Sequence, residues 1–177
     1  MKVLARLGSF LDGISEAMGR LSSWCAVLMV LVTCYVVFTR YVLNEGSVAI
    51  QESVTYLNAM LFLLTAAFTL KHGGHVRVDI FYTQASVRYK AWVDLLGSLL
   101  LLLPVCGFIL WISWGYVQAS WAVSEQSGDT GGLPYVYLLK TLIPVMALTL
   151  IVQGMAEIFR NLALLLSPSA LAQTPES

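Results

Sequence analysis

The sequence predicts an all-α integral membrane protein with four transmembrane helices, and three observations carry that prediction. Apolar residues make up 58% of the 177-residue chain and charged residues 11%, against roughly 25% charged in an average soluble domain. A soluble chain of this length needs more charge than that to cover its core. The ten basic and ten acidic residues also cluster, and between the clusters lie charge-free stretches as long as a bilayer is thick.

Nineteen uncharged residues separate Arg20 from Arg40, eighteen separate Glu52 from Lys71, thirty separate Asp94 from Glu125, and sixteen separate Lys140 from Glu157. A helix rises about 1.5 Å per residue, so crossing the hydrocarbon core takes about 20 residues. In lipid the backbone must satisfy its own hydrogen bonds, which makes each stretch a helix. The expected spans are 21–42, 53–71, 94–120 and 135–158. The fourth extends through Tyr135, Tyr137, Leu138 and Leu139, with the Lys140 amine snorkelling to the interface. The third is longer than a span requires, which implies tilt or continuation past the bilayer. Pro104 should kink it, while Pro144, near the start of the fourth, costs less.

Lys2, Arg6, Arg20, Lys71, Arg77, Arg88, Lys90 and Arg160 fall on one side of this topology, and only Arg40 and Lys140 on the other. The bias places the N-terminus, the middle connector and the C-terminus in the cytoplasm, N-in/C-in. Trp24 and Trp92 mark inner interfaces, and Trp111, Trp114, Tyr116, Trp121, Tyr135 and Tyr137 gather toward the outer one. Before the first span, Val3, Leu4, Leu7, Phe10, Leu11, Ile14 and Met18 recur at helical spacing, with Arg6, Ser9, Asp12, Ser15 and Glu16 opposite. This predicts an amphipathic interfacial helix over 3–19 on the cytoplasmic surface; a helix tucked against the bundle fits the same pattern. A secretory signal does not, because the charged stretch is too long and no small-x-small cleavage site follows. A cytoplasmic connector over 72–93 opens with Gly73 and Gly74, which should end the second helix. The outer loop covers 121–134, and the small polar tail over 166–177 reads as disordered.

Several function classes fall away. A net charge of zero leaves no basic patch for nucleic acid. Cys25, Cys34 and Cys106 all lie in apolar stretches with no CxxC pair, so neither a disulfide framework nor a metal site is expected. His72 and His75, the only histidines, stand three apart just past one span rather than on two facing helices, which disfavours bis-histidine haem. No ionisable residue lies inside a span, as a proton or ion pathway would require. Thr33, Thr39, Asn58, Thr65, Thr69, Ser98, Ser113, Thr149 and Gln153 read as helix-packing hydrogen bonders. No catalytic residue and no cofactor is expected, so the chain is not read as an enzyme. Two charge groups remain: Arg40, Glu45 and Glu52 around the first outer loop, where Arg40 and Glu52 could pair, and His75, Arg77 and Asp79 after the double glycine.

Taken in order, four motifs resemble one known family. They are FTRYVLN (Phe38 to Asn44), the acidic position at Gln51-Glu52, GGHVRVD (Gly73 to Asp79) and SEQSGDTGGLPYVYLLKTLIP (Ser124 to Pro144). Over roughly residues 20–160 the chain is similar to the small, DctQ-like membrane subunit of tripartite ATP-independent periplasmic (TRAP) transporters. Ile50-Gln51-Glu52 departs from the family's usual Trp and two acids by keeping one carboxylate.

The resemblance implies a scaffold in the bacterial inner membrane, in contact with lipid. It would support a large multi-helix permease subunit that carries the substrate and sodium sites and works by an elevator-like mechanism. It implies a periplasmic substrate-binding protein that docks outside, and the 124–135 stretch looks closest to members that take up organic acids. Glu45, Glu52, Glu125 and Asp129 would then be periplasmic partner contacts, with Arg40 orienting Glu52. His75, Arg77 and Asp79 would anchor the connector, and Gly97, Ser98, Gly107 and Gly115 would permit close helix approach. An autonomous small channel or exporter, and a membrane anchor for a redox enzyme, are the competing classes.

Overall fold

The structure, a computed structural model, describes residues 2–74 and 85–166, all helices and connecting turns. Helix α1 is Lys2–Val42, α2 is Val48–Lys71 and α3 is Val87–Gly97. A π-helical turn, Ser98–Leu102, joins α3 to α4, Leu103–Ala122, and α5 is Val136–Leu165. Four stretches are long and apolar enough to cross a membrane: Ser15–Val42, Val48–Lys71, Val87–Ala122 and Val136–Leu165. The chain is a multi-pass membrane protein.

Helix α1 differs from the sequence expectation because it has no break between 3–19 and 21–42. Its 41 residues make one rod of about 60 Å, twice the hydrocarbon thickness. No proline interrupts it, and the Glu16 carboxylate receives the Arg20 Nε at 3.2 Å across the expected break, a supporting i,i+4 pair. More decisive is burial. Ser15, Gly19 and Ser22 are buried at spacings of four and three, so one face of small side chains carries the helix straight along its neighbours.

Helix α5 organises the bundle. It packs against α1, α2, α3, the π turn and α4, and α1 also packs along α2. Among the described residues α4 touches neither α1 nor α2. The arrangement is therefore two wings, α1–α2 and α3–α4, joined through α5. Burial agrees: 28% of the most apolar window of α5 is covered by the chain, against 6% in each other span. The core is made of small residues, with Ala67, Ala147 and Ala156 fully covered and Ala91 and Cys106 nearly so. Large side chains such as Leu31, Phe62, Leu101 and Trp111 point outward. That inversion of a soluble core is expected where lipid removes the hydrophobic drive and close backbone approach supplies the attraction.

Local chemistry sets the ends. Helix α2 stops in a Schellman turn, with Gly73 N–H donating to Leu70 O at 3.1 Å and Gly74 N–H to Thr69 O at 2.9 Å; Gly73 takes φ +64°, which glycine adopts without penalty. Helix α3 starts at Val87 because the Ser86 hydroxyl caps Tyr89 N–H at 3.3 Å, so the third span begins seven residues before the expected Asp94. Pro104 has no N–H and its ring would collide with the carbonyl four residues back. The turn before it is wound wider, with Leu103 N–H reaching Ser98 O, a π-bulge. Helix α5 carries Pro144 inside and runs to Leu165, seven residues past the expected end.

Candidate functional site

At one end of the bundle the loop between α4 and α5 is tied down by side chains from three helices. Just past the end of α4, Ser124 takes φ +48°, and Glu125 N–H donates back to Ser120 O at 3.0 Å. This turn aims the Glu125 carboxylate at Lys140 of α5, whose Nζ lies 2.5 Å away and 4.1 Å above the Tyr116 ring. Charge pairing and cation–π attraction thus hold one amine from two sides. Beside it, Trp121 Nε1 donates to Thr141 Oγ1 at 2.9 Å, and its ring meets Tyr137 edge-on.

The second tie comes from α2. One Glu52 oxygen accepts the Ser127 hydroxyl, and the other accepts Leu133 N–H at 2.7 Å. Ser127 N–H itself donates to Leu133 O at 3.1 Å, so the two residues are closed against each other and the carboxylate seals the neck. Gly128, Asp129, Thr130 and Gly131 form the exposed tip. Gly132 sits where the neck leaves no room, since a Cβ there would lie 2.5 Å from Ser127 Oγ and 2.8 Å from Glu52 Oε1.

Arg40 and Glu52 are not paired, which corrects that expectation. Both Glu52 oxygens are taken by the loop, and Arg40 is exposed at a hollow of about 370 Å³ with Asn44, Glu45 and Gln51. Of the four carboxylates expected to meet a partner, Glu45 and Asp129 are exposed while Glu52 and Glu125 are engaged within the chain. His75, Arg77 and Asp79 lie outside the described residues. Gly97, Gly107 and Gly115 face open space, whereas the tight approaches are at Gly19, Gly132 and Gly154.

At the other end the structure joins residues that the sequence offered only singly, Gln153 as a helix-packing hydrogen bonder and Asp12, Ser15 and Glu16 as the polar face of the first helix. Gln153 of α5 is fully buried; it accepts from the Ser15 hydroxyl at 2.6 Å and donates to Asp12 Oδ1 at 2.9 Å. The other Asp12 oxygen faces Arg160 at 3.5 Å, and Arg160 also pairs with Glu157. Alongside, Lys71 bridges α2 to α1 through Glu16 Oε2 at 2.8 Å and Asp12 O at 3.2 Å. Among the described residues no group of His, Cys, Asp and Glu is placed to hold a metal ion.

The Lys140 ammonium beside Glu125 holds that carboxyl below its ordinary value of 4.5, against the opposing effect of burial. A lowered carboxylate pKa means the tie stabilises fully above 4.5 and is lost as pH falls through the lowered value. A carbon-detected NMR titration should therefore show Glu125 protonating at lower pH than an ordinary glutamate. Lys140→Gln should move its midpoint back toward 4.5. Equal midpoints in the two proteins would show that the ammonium does not act on Glu125.

Residues 29–164 match the family model described as "Tripartite ATP-independent periplasmic transporters, DctQ component". No curated protein matches the chain.

Proposed function

Because the chain belongs to the DctQ family of tripartite ATP-independent periplasmic transporter components, we propose that it is a static scaffold in the bacterial inner membrane. The family places it in a tripartite complex as the small permease subunit. In our reading its partners are a large sodium-coupled elevator subunit, a periplasmic binding protein that delivers an organic acid, and the surrounding lipid. The chain itself holds neither substrate, sodium nor cofactor. Both termini face the cytoplasm, which puts the Gln153 network inside and the Glu52 loop outside.

One observation carries this reading: the two wings are braced internally at both ends yet leave most of their apolar length uncovered by the chain. A rigid, self-tied plate with open faces suits a support better than a moving carrier. Gly107 and Gly115 line an apolar notch of about 670 Å³ with Trp111 and Trp114 on α4, where a partner helix could approach closely. The exposed carboxylates Glu45 and Asp129 are the groups free to meet the binding protein; Glu52 and Glu125 act within the chain.

The test is to tag the chain, express it with its neighbouring genes and purify it in mild detergent. A multi-helix permease should co-purify in near-equal amount. Vesicles holding both should take up organic acid only with binding protein and a sodium gradient. Purification alone with transport activity of its own would instead establish an autonomous channel, and a haem absorption band a redox anchor.

A further inference from the structure

We infer that Glu52 is a positioning residue: its carboxylate holds the 128–131 tip in one pose for the binding protein and makes no contact with that partner itself. The inference rests on the scaffold reading above and deepens it. Three features lead to it. Both Glu52 oxygens are used inside the chain, by the Ser127 hydroxyl and Leu133 N–H. The Glu52 charge is thus already met by two donors fixed in the neck, although each oxygen keeps a second acceptor site. The neck is shaped around it, since Gly132 leaves no space for a methyl beside Ser127 and Glu52.

The third feature is topological. Among the described residues α2 and α4 do not touch, so the Glu52–loop bond is a direct brace between the α1–α2 wing and the loop that leaves α4. The opposite tie, Glu125 to Lys140, fixes the start of the same loop to α5. Between the two anchors the backbone has no helix or strand to stiffen it. Its own hydrogen bonds, Ser127 N–H to Leu133 O at 3.1 Å, Asp129 N–H to Ser127 Oγ at 3.2 Å and Gly132 N–H to Asp129 O at 3.0 Å, make a compact turn. That turn is free to swing as a unit unless its neck is held. A partner that reads the exposed Asp129 and Thr130 then meets either one oriented tip or an ensemble, and ordering an ensemble weakens binding without changing the contacts made.

Two variants approach the neck from opposite sides. Glu52→Leu keeps much of the bulk but can accept from neither the Ser127 hydroxyl nor Leu133 N–H, so both bonds are lost. Gly132→Ala keeps Glu52 and wedges it away from Ser127. Hydrogen exchange of the full chain in lipid nanodiscs reads the neck directly through the Leu133 amide. Both variants should speed that exchange by roughly tenfold or more, as expected for losing a charge-assisted bond, with exchange in the membrane-spanning helices unchanged. In reconstituted uptake with the co-purified permease, both should raise the binding-protein concentration needed for half-maximal rate by roughly fivefold to tenfold. The rate at saturating binding protein should stay the same. Glu52→Asp, one methylene shorter but able to accept at both oxygens, should recover part of the loss.

Unchanged Leu133 exchange in both variants would overturn the inference, as would faster exchange with an unaltered binding-protein requirement. A fall in saturating rate or in complex yield, with the half-maximal concentration unchanged, would also overturn it by assigning Glu52 a purely structural role. Loss of binding with Leu133 exchange unchanged would make Glu52 a direct contact. Uptake by the unmodified proteins that ignores binding protein would instead count against the scaffold reading, whatever the exchange shows.

Discussion

Replacing Gly19 with valine should separate α1 from α2 and lower the stability of the purified chain by about 2–3 kcal/mol. Even a single methyl at Gly19 would fall onto the Phe68 side chain, including its Cβ at 2.7 Å. The Cβ is fixed to the α2 backbone and cannot rotate away, so relief requires the helices to move. Glycine within a helix is also a weakness, and a better helix former alone would add up to about 1 kcal/mol. The steric term therefore has to exceed that gain for the prediction to hold. Gly107→Val separates the two, because nothing lies within 4 Å of a Cβ at Gly107. In the isolated chain it should be neutral or slightly stabilising. Thermal unfolding in mild detergent gives the comparison, and equal effects at the two glycines would show that the α1–α2 approach is not tight. Against a permease partner the order could reverse: if a helix seats on the Gly107–Gly115 face, valine there would weaken assembly while leaving the chain intact.

What the sequence revealed and what it hid follow from the range of the interactions. The four spans were legible because charge is excluded from hydrocarbon, so a count of uncharged residues measures the membrane directly. Helix ends were less so, because helices continue past the lipid wherever a cap or a tertiary bond supports them. Helix α2 takes in Glu52 because the loop satisfies the ionised carboxylate with hydrogen-bond donors 75 and 81 residues away. Helix α3 starts early on the Ser86 cap. Local periodicity gave α1 a polar face holding Asp12, Ser15 and Glu16, and it fitted the membrane surface and the bundle equally well. The partners of Asp12 and Ser15 are on α5, about 140 residues along the chain, a distance no local pattern encodes. The serines and glycine at 15, 19 and 22 were the available clue, since small residues at four-three spacing mark close helix approach. For Arg40 and Glu52, opposite charges near one loop suggested a pair. The structure prefers loop amide and hydroxyl donors, which lie in a fixed neck, over a long arginine chain exposed to solvent.

The Gln153 network should show the strongest coupling between side chains in the protein. Gln153→Leu preserves volume in a fully buried position but removes two interhelical hydrogen bonds at once. Ser15, only 1% exposed, loses its acceptor, and Asp12 loses a donor while keeping Arg160. Interhelical bonds in membranes contribute roughly 0.6–1.7 kcal/mol each, and stranding a buried polar group adds to that. A loss of about 2–3 kcal/mol is expected on these grounds. The serine limits the upper end, because in a helix its hydroxyl can turn back to a carbonyl one turn earlier. The informative measurement is the double-mutant cycle with Ser15→Ala. If the hydroxyl and the amide form one network, removing both should cost about 1 kcal/mol less than the sum of the single losses, since the pair leaves fewer unmatched polar groups. Strict additivity in detergent unfolding would mean the two side chains do not interact. In that case α1 would be held to α5 by packing, by the Gln153–Asp12 bond and by the Asp12–Arg160 pair.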